Sequence, residues 1–145
     1  MVKNKNNNPV WSERIKKNKN SIYKKVGSSL NVDKRLFRED IEASSAHVEM
    51  LFRQKIIPFK IKNKIIWGLN RIQNEIIKKK FEFNISNEDI HMSIEKRLFD
   101  IIGDDAGFIH TARSRNDQVI TDFKLWLIKS TGEIIKNLDK SIKII

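Results

Sequence analysis

The sequence predicts an all-α protein, made of an N-terminal helical domain and the start of a central bundle of long helices. Apolar residues recur every three or four positions in four successive segments, which is the period of an amphipathic helix. Pro58 and Gly103 separate these segments at places where one helix must end. The last segment continues its apolar stripe to Ile145. We therefore interpret the chain as a fragment that ends inside a longer bundle.

Three regions are expected along the chain. Residues 1–32 form a basic N-terminal arm, with at most a short helix over residues 12–24, and the breaker Gly27-Ser28-Ser29 lies near its end. Residues 33–113 form the helical N-terminal domain. Residues 114–145 form the first, truncated part of the central bundle.

The first two predicted helices cover residues 33–55 and 59–79. The second begins directly after Pro58, since proline suits the first turn of a helix. It ends at a cluster of lysines, and cations there oppose the negative pole of the helix dipole. The two apolar faces consist of Phe37, Ile41, Ser44, Val48 and Leu51 in the first helix, and of Ile61, Ile65, Leu69, Ile72 and Ile76 in the second.

The third helix opens at Asn87-Glu88-Asp89, which supplies a polar cap and acids for the first turn. A loop over residues 104–115 follows, and Ser114 or Asn116 can cap a fourth helix that starts at Asp117. The apolar positions are Ile90, Ile94, Leu98 and Ile101 in the third helix, and Val119, Phe123, Trp126, Leu127, Ile134, Leu138, Ile142 and Ile145 in the fourth.

The composition is that of a folded helical protein, with 39% hydrophobic and 32% charged residues. The chain has no cysteine, which excludes disulfides and thiolate metal sites and suits a reducing compartment. Its apolar runs are far too short for a membrane span, and its Lys/Asn-rich start lacks the apolar region of a secretory signal. We therefore expect a cytoplasmic protein without a membrane partner.

The net charge of +11 is unevenly distributed. The first 25 residues hold eight lysines and arginines against the single acid Glu13, whereas acids and bases are better mixed from Asp33 onward. One alternative function is therefore a small basic helical protein that binds nucleic acid through the lysines of the arm, with an affinity that falls steeply with salt. This alternative gives no reason for the polar run at residues 110–118.

That run, from His110 to Gln118, lies between a glycine-containing loop and a helix start. Unpaired N–H groups and the dipole favour an anion there, and an arginine at this place can clamp a carboxylate through two parallel hydrogen bonds. The alternative is a simple helix cap with a solvated loop. A second cluster places His91 and Glu95 one helical turn apart, where their side chains could touch.

Other chemistry is not indicated by the residues. Gly27-Ser28-Ser29-Leu30 is a turn whose hydroxyls could reach a ligand. The chain has only three histidines, no HExxH motif, no zinc spacing and no phosphate-binding glycine loop. The sequence predicts no metal site, no cofactor and no catalytic pair.

At these same residues the sequence resembles the argininosuccinate lyases, which belong to the fumarase/aspartase superfamily. The resemblance runs from about Trp11 to the end of the chain. The motifs that carry it are Asp33-Lys34-Arg35-Leu36-Phe37, Glu88-Asp89-Ile90-His91, Glu95-Lys96-Arg97-Leu98 and, above all, Thr111-Ala112-Arg113-Ser114-Arg115-Asn116-Asp117-Gln118-Val119 followed by Thr121-Asp122.

The resemblance implies a cofactor-independent elimination that splits argininosuccinate into arginine and fumarate, in a homotetramer whose active sites are each built from three subunits. The family's catalytic histidine segment and mobile serine loop lie beyond position 145, so no catalytic residue is expected in this chain. A non-catalytic relative, of the lens-crystallin kind, is a further alternative. The substrate-binding residues that the resemblance implies are Ser29, Asp89, His91, Ser114, Arg115 and Asn116.

Overall fold

The computed structural model describes residues 26–84 and 86–144. A helical turn, Leu30–Asp33, and a 3-10 turn, Lys34–Leu36, lead into four α-helices. No strand occurs among the described residues, which confirms the predicted all-α class. The helices are α1 (Phe37–Arg53), α2 (Phe59–Ile77), α3 (Ile90–Ile102) and α4 (Arg115–Ile142), and a 3-10 helix, Gly103–His110, joins α3 to α4.

Several predicted boundaries differ from the observed ones. The predicted loop at residues 104–115 is mostly the 3-10 helix, because Ala106 and Ile109 lie three residues apart and are both buried. The fourth helix begins at Arg115 rather than Asp117, with Ser114 as its cap. Most of the basic arm, including its predicted short helix, lies outside the described residues, and the turn Leu30–Asp33 spans the predicted end of that arm.

The core lies between α1, α2 and α3, whose predicted apolar faces meet there. At the end of α3 the sequence predicted Ile101 for the apolar face, but Ile102 is the buried core residue there. Ile101 is partly buried and packs against the core. Burying these side chains is the main source of stability for the three-helix unit. The fully buried residues include Val48 and Leu51 of α1, Ile65, Leu69 and Ile72 of α2, and Ile90, Ile94 and Leu98 of α3.

Gly68 allows α2 to pack closely against α3. A Cβ atom at this position would lie 2.5 Å from Leu98 Cδ1 and 3.2 Å from Ile102 Cγ2. Both neighbours are buried core side chains, so they have little room to move. By contrast, a Cβ atom at Gly132 in α4 would meet nothing within 4 Å.

These two glycines give a matched pair of alanine variants. Both gain the higher helix propensity of alanine, but only Gly68→Ala overpacks the core. We expect Gly68→Ala to be less stable than Gly132→Ala by about 1–3 kcal/mol in urea unfolding. Equal free energies of unfolding for the two variants would contradict the close packing of α2 against α3.

α4 packs on α1 through polar residues and leaves its apolar stripe exposed. Its buried residues are Gln118 and Asp122. Further along, Lys129 Nζ lies 3.1 Å from Glu39 Oε1 and 2.7 Å from Glu42 Oε2 of α1. The exposed apolar residues of α4 include Val119, Ile120, Phe123, Leu127, Ile128, Ile134, Leu138 and Ile142.

This orientation is the reverse of that of α1–α3, which bury their apolar faces. Leu138 and Ile142 are 58% and 69% exposed, although they belong to the predicted stripe. None of the helices in the described part is both long enough and apolar enough to cross a bilayer.

Candidate functional site

Ser114 begins α4 with a complete capping box. Its side chain accepts a hydrogen bond from the backbone N–H of Asn116 at 3.2 Å, and Asp117 Oδ2 accepts one from the backbone N–H of Ser114 at 3.3 Å. Ser114 and Asn116 are both exposed at this positive end of the helix dipole. Of the two caps that the sequence allowed, the structure selects Ser114.

The segment before Ser114 is anchored to α1. Ala112 adopts φ +54°, in the left-handed region, which turns the chain from the 3-10 helix into α4. The carbonyl of Thr111 lies 3.0 Å from His47 Nε2, and Arg113 Nη1 donates to Ser44 Oγ at 2.8 Å. Burial lowers the pKa of His47, so this anchoring histidine is neutral at pH 7. These contacts fix the path of the loop that leads to the site.

Arg115, the first residue of α4, forms a two-bonded ion pair with Glu95 of α3. Arg115 Nη1 donates to Glu95 Oε1 at 2.8 Å, and Nη2 donates to Glu95 Oε2 at 2.9 Å. Nη1 also donates to Gln118 Oε1 at 2.6 Å, and Nε lies 3.6 Å from Asp89 Oδ2. Although burial alone would lower the pKa of Arg115, Glu95 and the other nearby acids outweigh it and raise that pKa.

The fork of Arg115 that the sequence assigned to a ligand carboxylate is therefore occupied by Glu95. A guanidinium carries five N–H groups, and three of those on Arg115 already donate to protein oxygens. One N–H on Nη2 has no acceptor in the described part of the chain. The spacing also suggested a contact of Glu95 with His91, but Glu95 instead accepts from Arg115 and pairs with His110 at 2.8 Å.

Asp89 caps α3 beside Arg115. Its Oδ1 accepts a hydrogen bond from the backbone N–H of Met92 at 2.6 Å, which is the N-cap arrangement expected for this residue. Its other oxygen, Oδ2, faces Arg115 Nε. The N-termini of α3 and α4 therefore lie next to each other.

Ser29 is tied to the N-terminus of α3. Its backbone N–H donates to the carbonyl of Glu88 at 2.9 Å, and its hydroxyl donates to Asp33 Oδ2 at 2.5 Å. Asp33 Oδ1 in turn accepts from the backbone N–H of Ile90 at 3.1 Å. Burial raises the pKa of Asp33 and also that of Glu88. The structure thus brings Ser29 to the same edge as Asp89.

His91 is the exception among the six predicted site residues, because its side chain is only 1% exposed. His91 Nδ1 lies 3.3 Å from Asp40 Oδ1 of α1 and 3.3 Å from Asp122 Oδ2 of α4. These separations are long for hydrogen bonds, and four buried side-chain atoms of this cluster have no hydrogen-bond partner in the described structure. His91 can therefore reach a ligand only through its neighbours.

The buried cluster consists of Asp40, His91 and Asp122, and it joins α1, α3 and α4. Burial raises the pKa of Asp122 to about 8, with the charge of Asp40 as the next cause. Burial would also raise the pKa of Asp40, but His91 and Gln118 outweigh it and the pKa is lowered. Burial alone would lower the pKa of His91, yet the surrounding carboxylates raise it. At pH 6 the favoured charge state is therefore ionised Asp40, protonated Asp122 and cationic His91.

The same three side chains are the group among the described residues that could hold a metal ion. One ligand atom from each lies within 4.8 Å of the other two. Residue spacing does not indicate this group, because its members lie on three different helices. Their charges balance without a metal when Asp122 keeps its proton, so we favour proton sharing over ion binding.

A cleft of about 420 Å³ lies beside the segment that precedes α4. None of the six predicted site residues lines it. They lie instead along the edge where α3 and α4 begin, with His91 beneath that edge. The residues that line the cleft are Glu42, Ala43, Ala46, His47, Ala112, Arg113, Asp117, Thr121 and Leu125.

Comparison with known proteins gives the family. Residues 13–145 match the family described as Lyase. The chain belongs to this family. Among its relatives, an argininosuccinate lyase of Pelagibacter ubique is 67% identical over 145 residues, which is 100% of this chain and 31% of that protein. An argininosuccinate lyase of Campylobacter jejuni is 50% identical over 137 residues, which is 94% of this chain and 30% of that protein.

A third relative, an argininosuccinate lyase of Ehrlichia canis, is 50% identical over 127 residues and covers 88% of this lyase-family chain. The resemblance seen in the motifs is thereby confirmed. The chain spans about 31% of the length of the Pelagibacter relative that it matches.

The sequence did not predict the contacts that Asp40, Glu95, Gln118 and Asp122 make at this edge and in the cluster beneath it. Glu95, Gln118 and Asp122 stand inside the motifs that carry the resemblance, so their positions were visible but their partners were not. Gln118 pairs with Asp40 across 78 positions, and Arg115 pairs with Glu95 across 20. Helical periodicity predicts which face a residue occupies, but not its partner on another helix.

Proposed function

We propose that this chain forms the N-terminal part of an argininosuccinate lyase of arginine biosynthesis. The observation that carries the proposal is the 67% identity with the Pelagibacter ubique enzyme over the whole chain. The reaction is a cofactor-independent elimination that yields arginine and fumarate. A base removes a proton beside a carboxylate of the succinyl group, a C=C bond forms, and the C–N bond breaks as the guanidinium group leaves and is protonated.

The edge around Arg115 suits part of this substrate. Argininosuccinate carries carboxylates and cationic nitrogen groups, and the edge presents a guanidinium beside acidic residues. In this proposal Ser114, Arg115 and Asn116 bind a substrate carboxylate at the N-terminus of α4. Ser29 and Asp89 contact the same ligand, and His91 supports this surface from below.

The general acid and base are not among these residues. The acidic groups of the edge are already engaged, Asp89 as the cap of α3 and Glu95 in the pair with Arg115, and the resemblance places the catalytic histidine and serine loop beyond residue 145. The described edge therefore binds and orients, and the chemistry falls to other segments. This division predicts that the chain alone is inactive.

The exposed stripe of α4 supports assembly into a homotetramer with a central bundle. α4 uses polar contacts to pack on α1, so its apolar face remains available for further helices. A helix that is apolar along one exposed side needs such a partner in water. We propose that further segments of the protein and neighbouring subunits cover this stripe, and that the assembly is cytoplasmic.

A chimera tests the proposed function directly. It joins residues 1–145 of this chain to the rest of the Pelagibacter ubique enzyme, in place of the matching segment. We expect the chimera to release fumarate from argininosuccinate, followed by ultraviolet absorbance, and the 145-residue chain to release none. An assembled but inactive chimera, beside an active Pelagibacter enzyme, would favour the crystallin-like alternative.

A further inference from the structure

The single carboxylate of Glu95 contacts two side chains, those of Arg115 and His110. Its two oxygens accept from Nη1 and Nη2 of Arg115 at 2.8 and 2.9 Å. His110 Nε2 lies 2.8 Å from Glu95 Oε1, the same oxygen that faces Arg115 Nη1. The Glu95 side chain is mostly buried on α3. Three contacts thus converge on a carboxylate that has little freedom of its own.

Gln118 fixes the guanidinium of Arg115 from the other side. Its Oε1 accepts from Arg115 Nη1 at 2.6 Å, and its Nε2 donates to Asp40 Oδ1 at 2.6 Å. A guanidinium can only donate and an ionised carboxylate can only accept, so the two partners determine which way the amide faces. The plane of the Arg115 guanidinium is therefore fixed by Glu95 of α3 and by Gln118 of α4, and Gln118 is itself bound to Asp40 of α1.

We propose that Glu95 is a positioning residue, which orients Arg115 so that its remaining N–H on Nη2 is presented to a ligand carboxylate at the start of α4. This inference rests on the proposed function, because it assigns a role within the same binding edge. Arg115 then contributes one directed hydrogen bond, and the carboxylate takes its other contacts from neighbouring groups such as Ser114 and Asn116.

The ionised state of Glu95 is consistent with this role. Burial alone would raise the pKa of Glu95, but hydrogen bonds from His110 and Arg115 outweigh it and lower that pKa. The opposite hypothesis is that Glu95 merely competes with the ligand for Arg115. Competition and positioning predict changes of opposite sign in KM, which makes the two separable.

Glu95→Gln in the chimera is the decisive variant. Glutamine keeps the size of the side chain but replaces one accepting oxygen by an NH2 group that faces the donors of Arg115. We expect KM for argininosuccinate to rise about tenfold, the effect of loosening one charge-assisted hydrogen bond, with kcat changed much less. An unchanged KM, or the lower KM that competition predicts, would overturn the proposal.

Glu75→Gln is the matched control. Glu75 accepts from Arg97 Nε at 2.8 Å and from Arg97 Nη2 at 2.9 Å, which is also a two-bonded pairing but lies away from the binding edge. The Glu75 and Glu95 side chains are 17% and 19% exposed, so the two pairs are similarly buried. We expect the control to keep the KM of the parent chimera even if it loses similar stability.

A spectroscopic measurement separates this inference from the proposed function. In the 145-residue chain, the Arg115 side-chain N–H signals in nitrogen-15 NMR should be distinct, because rotation of the held guanidinium is slow. They should average in Glu95→Gln and stay distinct in Glu75→Gln. Averaged signals in the parent chain would overturn the positioning role, whereas an inactive chimera with distinct signals would count against the lyase function alone.

Discussion

Replacing Arg115 with lysine is expected to lower kcat/KM of the chimera about 100-fold or more, which corresponds to roughly 3 kcal/mol of lost charged hydrogen bonding. A lysine ammonium is a single point of charge on a flexible stem. It cannot reproduce two parallel bonds to Glu95 while also donating to Gln118 and to a ligand. Steady-state kinetics with argininosuccinate measure the effect.

The control for this variant is Arg97→Lys. Arg97 also makes two hydrogen bonds to one carboxylate, that of Glu75, but it lies away from the edge formed by the N-termini of α3 and α4. Its replacement should leave kcat/KM within about twofold of the parent, since Arg97 pairs with Glu75 and contacts none of the proposed substrate-binding residues. Near-normal kinetics for a correctly folded Arg115→Lys chimera would remove Arg115 from the binding edge.

The three-helix core could be predicted from the sequence because the apolar side chains that bury one another all belong to this chain. The periods of Ile41, Val48 and Leu51, and of their counterparts on α2 and α3, match the faces that are buried. The orientation of α4 could not be predicted this way. The described part of the chain does not cover its apolar stripe. α4 packs on α1 through its polar face instead, by hydrogen bonds and ion pairs.

The site shows the same division between local and long-range information. The capping roles of Ser114 and Asp89 follow from short-range chemistry, and residue types and spacing indicate them. The pairing of Arg115 with Glu95 depends on how α3 and α4 cross. The sequence therefore predicts an Arg115 guanidinium that is free to bind a ligand carboxylate, whereas in the structure it is bound to Glu95.

The two buried aspartates, Asp40 and Asp122, should respond unequally to the same substitution. Both lie 3.3 Å from His91 Nδ1 and both are almost fully buried, so exposure and distance to His91 do not distinguish them. Gln118 Nε2 donates to Asp40, which marks Asp40 as the ionised partner and leaves Asp122 to keep its proton. An asparagine resembles a protonated aspartate in shape and can donate to Asp40.

At pH 6 we therefore expect Asp122→Asn to unfold with a free energy within about 1 kcal/mol of the parent chain. Asp40→Asn should cost about 3 kcal/mol or more, because the buried cation of His91 loses its ionised partner and Asp122, which lacks the hydrogen bond from Gln118, must ionise in its place. Urea unfolding of the 145-residue chain measures both. Equal losses for the two variants would contradict the unequal sharing of the proton.

The dependence on pH gives a second, independent test of the same cluster. The pKa of Asp122 is about 8 in the folded chain and near 3.8 in the unfolded chain, so folding takes up a proton between these values. This contribution to stability is fully present below pH 4 and is lost progressively as the pH rises towards 8. The raised pKa of His91 acts in the same direction, with a contribution lost as the pH rises through that value.

Asp122→Asn removes the aspartate part of this dependence and leaves that of His91. The free energy of unfolding should therefore fall less between pH 6 and 9 in the variant than in the parent, and the variant should be the more stable of the two at pH 9. A chelator in the buffer should change neither curve, because proton sharing needs no metal. A loss of parent stability on adding the chelator would instead assign Asp40, His91 and Asp122 to a metal ion.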